Sequence, residues 1–136
     1  MKCHVVVADD DPMIISLVSL RLEVAGYEVL SARNGEDALA LIRKIRPSAA
    51  ILDIDMPGRS GIDVLDAIKA DPATDQLPVM ILTGERDSET VMRAMGSGAG
   101  DYMVKPFQPD RLLDRVNRMV QASLTHRLSA PPVWEI

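Results

Sequence analysis

Three short runs in which every residue is apolar, VVVA at 5–8, AAIL at 49–52 and VMIL at 79–82, constrain this chain more than any other feature. Such runs are too short for independent helices and lack the alternation of a half-exposed strand. They read as strands covered on both faces, the pattern of a parallel sheet with a layer of helices on each side. Longer amphipathic segments separate them, so the chain is expected to be an α/β protein. The expected strands are 4–8, 27–31, 49–52, 79–82 and 101–104, and the expected helices are 12–25, 35–44, 60–70, 88–95 and 109–124.

In the first helical segment, Ile14, Leu17, Val18, Leu20 and Leu22 are expected to form one broad apolar face, and Gly26 to end the helix. Asn34-Gly35 opens the second helix, Pro47 follows it, and Asp71-Pro72 closes the third. Five β–α units are most simply arranged as a flavodoxin-like, doubly wound five-stranded parallel sheet of order 2-1-3-4-5 with right-handed crossovers. In that order ligands bind at the carboxyl ends of the strands, at the switch between the first and third.

A chain of 136 residues has room for one domain, expected over 1–124, with 125–136 a tail or linker carrying Pro131-Pro132 and the only tryptophan, Trp134. Met1 and the shortness of that tail point to a stand-alone protein. The single cysteine, Cys3, cannot form an internal disulfide, and the apolar run near the N-terminus is too short for a signal-peptide core or a membrane span. A cytoplasmic protein with no membrane partner is expected. A formal net charge of −5 and an aromatic content of 3% argue against direct binding of nucleic acid, through phosphates or by base stacking. The P-loop pattern is absent, and GSGAG at 96–100 sits between a helix and a strand, where a tight turn accounts for its glycines.

Four carboxylates then meet at one sheet edge: Asp9, Asp10 and Asp11 after the first strand, and Asp53 after the third. Asp11, followed by Pro12, is accounted for as a helix N-cap. Asp9 and Asp10 are not, and clustered hard oxygen ligands with few neighbouring bases suit Mg2+. The fourth strand delivers Thr83-Gly84 to the same edge and the fifth delivers Lys105-Pro106. Taken singly, Asp53 is a turn residue before Pro57-Gly58, Thr83 a polar strand end and Lys105 a snorkelling surface lysine. Taken together, acids, a hydroxyl and an ammonium are what a transferring phosphoryl group needs, because its chemistry is mostly positioning and charge neutralisation.

VVVADDDP, ILDIDMPGRSGIDVL, PVMILTG and DYMVKPF, with 30 residues from Asp53 to Thr83 and 22 from Thr83 to Lys105, make residues 4–124 resemble the receiver domain of two-component response regulators, including the single-domain chemotaxis type. The resemblance implies that Asp53 is a phosphoacceptor, that Asp9 and Asp10 hold Mg2+ with Asp53, Asp10 directly and Asp9 largely through water, and that Asp55 offers its main-chain carbonyl to the metal. Thr83 would bond a phosphoryl oxygen and Lys105 would pair with it. Thr83 and Tyr102, three residues before the lysine, would form a switch acting on a face made of the fourth helix, fifth strand and fifth helix. Asp55 and Glu85 would border the path of attacking water and tune the acyl phosphate, and Gly84 would leave the site open to small phosphodonors.

The implied partners are a sensor histidine kinase or a histidine phosphotransfer protein and a downstream protein target, with phosphorylation-dependent dimerisation left open. Such a domain catalyses its own phosphorylation and dephosphorylation without being a conventional turnover enzyme. Two alternatives stand beside this reading. LDID before a turn is similar to the Asp-x-Asp nucleophile motif of haloacid-dehalogenase-type phosphatases, although there the motif belongs on the first strand. A receiver that binds partners without phosphorylation is the other, against which the presence of Asp9, Asp10, Asp53, Thr83 and Lys105 together argues.

Overall fold

The computed structural model describes residues 3–84 and 88–129, with the backbone alone for residues 125–129. Strands β1 (His4–Ala8), β2 (Glu28–Ala32), β3 (Ala49–Asp53), β4 (Val79–Thr83) and β5 (Asp101–Val104) alternate with helices α1 (Pro12–Val24), α2 (Gly35–Ile45), α3 (Gly61–Ala70), α4 (Ser88–Gly96) and α5 (Pro109–Ser129). Every strand pairing is parallel, and the sheet order is β2-β1-β3-β4-β5, as the alternation of runs implied.

The three continuous apolar runs are the three central strands, and their residues are wholly buried. Because successive side chains point to opposite faces, each run feeds two cores. Val5, Val7, Ile51 and Leu82 pack with Val18 and Leu22 of α1 and with Leu112 and Val116 of α5. Val6, Ala8, Leu52 and Ile81 pack with Leu39 and Ile42 of α2, with Leu65 and Ile68 of α3, and with Ala94 of α4. At roughly 1.5–3 kcal/mol for each fully buried aliphatic side chain, these two layers are the main stabilising term.

The helices start where their caps dictate. Asp11 accepts from the Met13 N–H at 2.9 Å, Asn34 from Asp37 at 2.8 Å and Ser60 from Asp63 at 3.1 Å. Each such cap contributes about 1 kcal/mol. Gly26, at φ 101°, takes the left-handed conformation that turns the chain out of α1, as expected for it.

Several expectations are corrected. The second strand begins at Glu28, one residue late; Tyr27 instead donates its hydroxyl to Asn117 Oδ1 at 2.5 Å, tying the start of the strand to α5. β3 and β4 each run one residue further than expected, so Asp53 and Thr83 belong to the sheet itself. α5 continues to Ser129, through part of the stretch assigned to a tail, with no helix breaker before Pro131. The expected apolar face of α1 is split: Val18 and Leu22 are buried, whereas Leu17 and Leu20 point to solvent. Glu85 and Trp134 lie outside the described residues. Among the described residues no helix is long and apolar enough to cross a membrane.

Candidate functional site

Parallel pairing brings the carboxyl ends of β1, β3, β4 and β5 to one edge, and each end delivers a polar residue there. Asp9, directly after β1, is fully buried, and Asp53, the last residue of β3, is 4% exposed. Thr83, the last residue of β4, is buried, and Lys105 directly follows β5, before the Pro106 ring. One carboxylate oxygen from each of Asp9, Asp10 and Asp53 lies within 4.8 Å of the others, a grouping able to hold a metal ion. Asp10 is the exposed member of this group, so the cluster opens to solvent on its side.

The two buried acids are held by one ammonium. Lys105 Nζ donates to Asp9 Oδ2 at 2.8 Å and lies 3.3 Å from Asp53 Oδ1. The other oxygen of Asp9 accepts the N–H of Asp11 at 2.9 Å. With three acids facing one lysine, the cluster carries excess negative charge. Asp53 registers this: burial first, then the neighbouring charge of Asp9, push its carboxyl up to about 6 against the partial relief from Lys105. Burial alone would lower the Lys105 ammonium, but its hydrogen bond to Asp9 and the charges of Asp53 and Asp9 outweigh that and hold it above the ordinary lysine value. A divalent cation is the simplest neutraliser of such a group, and carboxylate oxygens are among the hard donors that Mg2+ takes, one or two directly and the rest through water.

Asp11 is a cap and no member of the cluster, as its sequence context indicated. Asp55 is exposed in the loop after β3, and its carboxylate is not one of the three; the expectation made of it concerns its main-chain carbonyl. Tyr102 on β5 is 37% exposed and lines a cavity of about 440 Å3 with Phe107, Arg111 and Arg115, a lining that includes none of the three carboxylates. Gly84 is exposed with open space around it.

Two features escaped sequence reasoning. Arg33, just past β2, donates from Nε and Nη2 to the main-chain carbonyl of Asp10 at 3.3 and 3.1 Å, pinning the turn that presents Asp10. The available signal was a basic residue ending the strand next to β1. Gly61, at the start of α3, is the second: a Cβ there would collide with the main-chain carbonyl of Asp53. Gly61→Ala is expected to destabilise the chain by about 1–3 kcal/mol and to weaken Mg2+ binding, because the colliding backbone is that of Asp53 itself. Urea unfolding with a Mg2+ titration checks both, and an unchanged midpoint and affinity would show that the contact relaxes freely.

The response regulator receiver domain family model matches residues 5–117. The DNA-binding response regulator MtrA of Mycolicibacterium smegmatis is 35% identical over 116 residues, covering 85% of this chain and 50% of that protein. The phosphate regulon transcriptional regulatory protein PhoB of Pseudomonas aeruginosa is 33% identical over 117 residues, 86% of this chain and 51% of that one. Among solved structures, a response regulator from Chloroflexus aurantiacus superimposes with a TM-score of 0.85 at 35% identity, covering 89% of this chain and 99% of that one. The chemotaxis protein CheY4 of Vibrio cholerae gives 0.83 at 34% identity, with 88% and 99% covered. The chain spans about half the length of these curated relatives. The net charge of −5 is that of this chain alone, and a relative named as DNA-binding does not support the expectation that nucleic acid is no partner.

Proposed function

Since the chain belongs to the response regulator receiver domain family, we propose that it accepts a phosphoryl group on Asp53 from a phosphohistidine, with Mg2+, and changes a protein-binding surface in response. The observation that carries this reading is Lys105 Nζ at 2.8 Å from Asp9 and 3.3 Å from Asp53, inside a group of three carboxylates. Asp9, Asp10 and Asp53 would hold the metal, with the Asp55 carbonyl. When bound, Mg2+ supplies positive charge to the carboxylates and to the phosphoryl oxygens.

Asp53 acts as the nucleophile. One of its oxygens forms the new O–P bond as the donor's N–P bond breaks, and the imidazole, protonated on its other nitrogen, leaves neutral. Lys105 is poised to pair with the incoming oxygens, and Thr83, ending the adjacent strand, to donate its hydroxyl to one of them. Tyr102, at the surface, is the residue free to turn inward once Thr83 is drawn to the phosphoryl group. The partners on this reading are a sensor histidine kinase or phosphotransfer protein and a downstream protein target, in the cytoplasm. The buried, charge-paired site favours phosphorylation over a module that only binds. The hydrolase alternative loses its ground with family membership.

Incubation with acetyl phosphate or phosphoramidate tests this by intact mass and peptide mapping. The expected result is one base-labile phosphoryl adduct that needs Mg2+, maps to Asp53 and is absent from the Asp53→Ala chain. An adduct elsewhere, or none with any small donor or phosphohistidine protein, would overturn the reading.

A further inference from the structure

Asp9 and Asp53 are buried and share the Lys105 ammonium, but Asp10 is exposed, and its place in the acidic group rests on how the turn after β1 is held. One peptide group of that turn, between Asp10 and Asp11, is hydrogen-bonded at both ends. Its carbonyl accepts from Nε and Nη2 of Arg33 at 3.3 and 3.1 Å, and its N–H donates to Oδ1 of Asp9 at 2.9 Å. A trans peptide is planar and points its C=O and N–H in opposite directions, so these contacts together fix the plane. They also set Arg33 and the Asp9 carboxylate on one hydrogen-bonded line, in which the guanidinium polarises the peptide and strengthens the bond its N–H makes. Arg33 therefore acts on two acids. It sets the main chain that carries Asp10, and it helps hold Oδ1 of Asp9 towards the turn, which leaves Oδ2 for Lys105.

The same turn reaches the second loop of the site. Arg33 leads into Asn34, the N-cap of α2, whose side chain accepts the Asp37 N–H at 2.8 Å, so the backbone carrying Arg33 is itself anchored. Glu36 pairs with Arg59 Nε at 3.0 Å, and Arg59 lies in the loop that runs from Asp53 to α3 and carries Asp55. Gly35 permits the approach, since a Cβ there would collide with the main-chain carbonyl of Arg59. Residues 33–36 thus touch both loops that supply the acids. The two contacts differ in weight. Glu36 and Arg59 are 65 and 44% exposed, and such a pair contributes little. Arg33 gives two charge-assisted hydrogen bonds from a preorganised planar fork. By charge alone, a cation here would oppose a metal ion. The sign of its effect on metal binding therefore separates charge from positioning.

We propose that Arg33 is a positioning residue for Mg2+: by fixing the Asp10–Asp11 peptide it holds Asp9 and Asp10 in the arrangement that the ion binds, and so raises affinity in spite of its own charge. The proposal rests on the reading of the acidic group as a Mg2+ site and extends it to a residue outside that group. Groups that orient metal ligands without touching the metal ordinarily carry a large share of its affinity.

Amide NMR of the 136-residue chain gives two readouts. Without metal, the Asp11 N–H is expected to exchange with solvent about tenfold faster in Arg33→Met than in the parent, with the Asp37 N–H on the adjoining cap unchanged. Titration with Mg2+ alone should give a Kd about tenfold weaker for Arg33→Met. Arg33→Lys, which keeps the charge and loses the paired donors, should be weaker by about threefold. Glu36→Gln should change Kd by less than about twofold. The ratio between Arg33→Met and its parent should persist in 1 M KCl, where the Debye length of about 3 Å screens exposed charges. An affinity unchanged or tighter in Arg33→Met overturns the proposal. So does a ratio that vanishes in high salt, or loss of Asp37 protection together with that of Asp11, which would make Arg33 a support of the fold. A parent chain that binds no Mg2+ overturns the metal-site reading itself, and the parent titration alone tells that failure from the others.

Discussion

Replacing Lys105 with methionine is expected to destabilise the metal-free chain by about 2–4 kcal/mol at pH 7.5. Removing one partner of a buried ion pair ordinarily costs about 3–5 kcal/mol, because it strands the remaining charge. Here two acids are stranded, Asp9 at 2.8 Å and Asp53 at 3.3 Å, both of them buried. The discount reflects the 23% exposure of the lysine side chain, which lets water screen part of the loss. Methionine keeps the apolar stem's packing, so the difference reports charge. Mg2+ should restore part of the stability by supplying another cation. Lowering the pH should also narrow the gap, since acids without their ammonium take up protons more readily. Arg115→Met breaks the more exposed pair with Asp101, also 2.8 Å apart, and should cost only about 0–1 kcal/mol. Urea unfolding of the three chains measures this, and a Lys105→Met loss no larger than that of Arg115→Met would show that the lysine does not hold the cluster.

The opposite sign is expected at Asp53. Its carboxyl titrates at about 6 in the folded chain against an ordinary 3.8, so between those values the native state holds a proton that the unfolded state has released. Stability from this group is therefore full below about pH 4, falls as pH rises through 4 to 6, and is absent above that. The difference between an ordinary 3.8 and about 6 corresponds to roughly 3 kcal/mol as an upper bound. Asn cannot ionise, so Asp53→Asn should stabilise the metal-free chain by about 1–3 kcal/mol at pH 7.5 and by little at pH 4. Mg2+ should close the gap from the other side, raising the stability of the parent chain more than that of the variant. Comparing the two chains at each pH cancels the titration of acids distant from the cluster, whereas Asp9 and Asp10, whose charges act on Asp53, remain coupled to it. An Asp53→Asn chain less stable than its parent at pH 7.5 in EDTA would mean that Lys105 more than compensates the buried charge.

Both predictions concern a site whose members were legible before its geometry was. Asp9, Asp10, Asp53, Thr83 and Lys105 stand out because each follows an apolar run, and a parallel sheet must bring the carboxyl ends of such runs to one edge. Asp11 was equally legible as a cap, since Pro12 follows it. Arg33 and Gly61 were not. Their roles are contacts with the main chain of Asp10 and Asp53, and no residue pattern records which backbone atom a side chain, or the lack of one, will meet.

Sequence alone determined the element order, the central strands and the polar residues at their ends, because these follow from local periodicity and from the need to bury wholly apolar runs. It left open which side of α1 faces the core. Ile14, Leu17, Val18, Leu20 and Leu22 are all apolar, and only the docking of α1 beside α5 buries Val18 and Leu22 while leaving Leu17 and Leu20 outside. The tertiary structure likewise decided the electrostatics. The elevation of the Asp53 carboxyl comes from burial and from the neighbouring charge of Asp9, a residue 44 positions away in the chain, and the single lysine that restrains both comes from a further strand. Burial and through-space charge depend on distances that only packing sets, and so they enter with the fold.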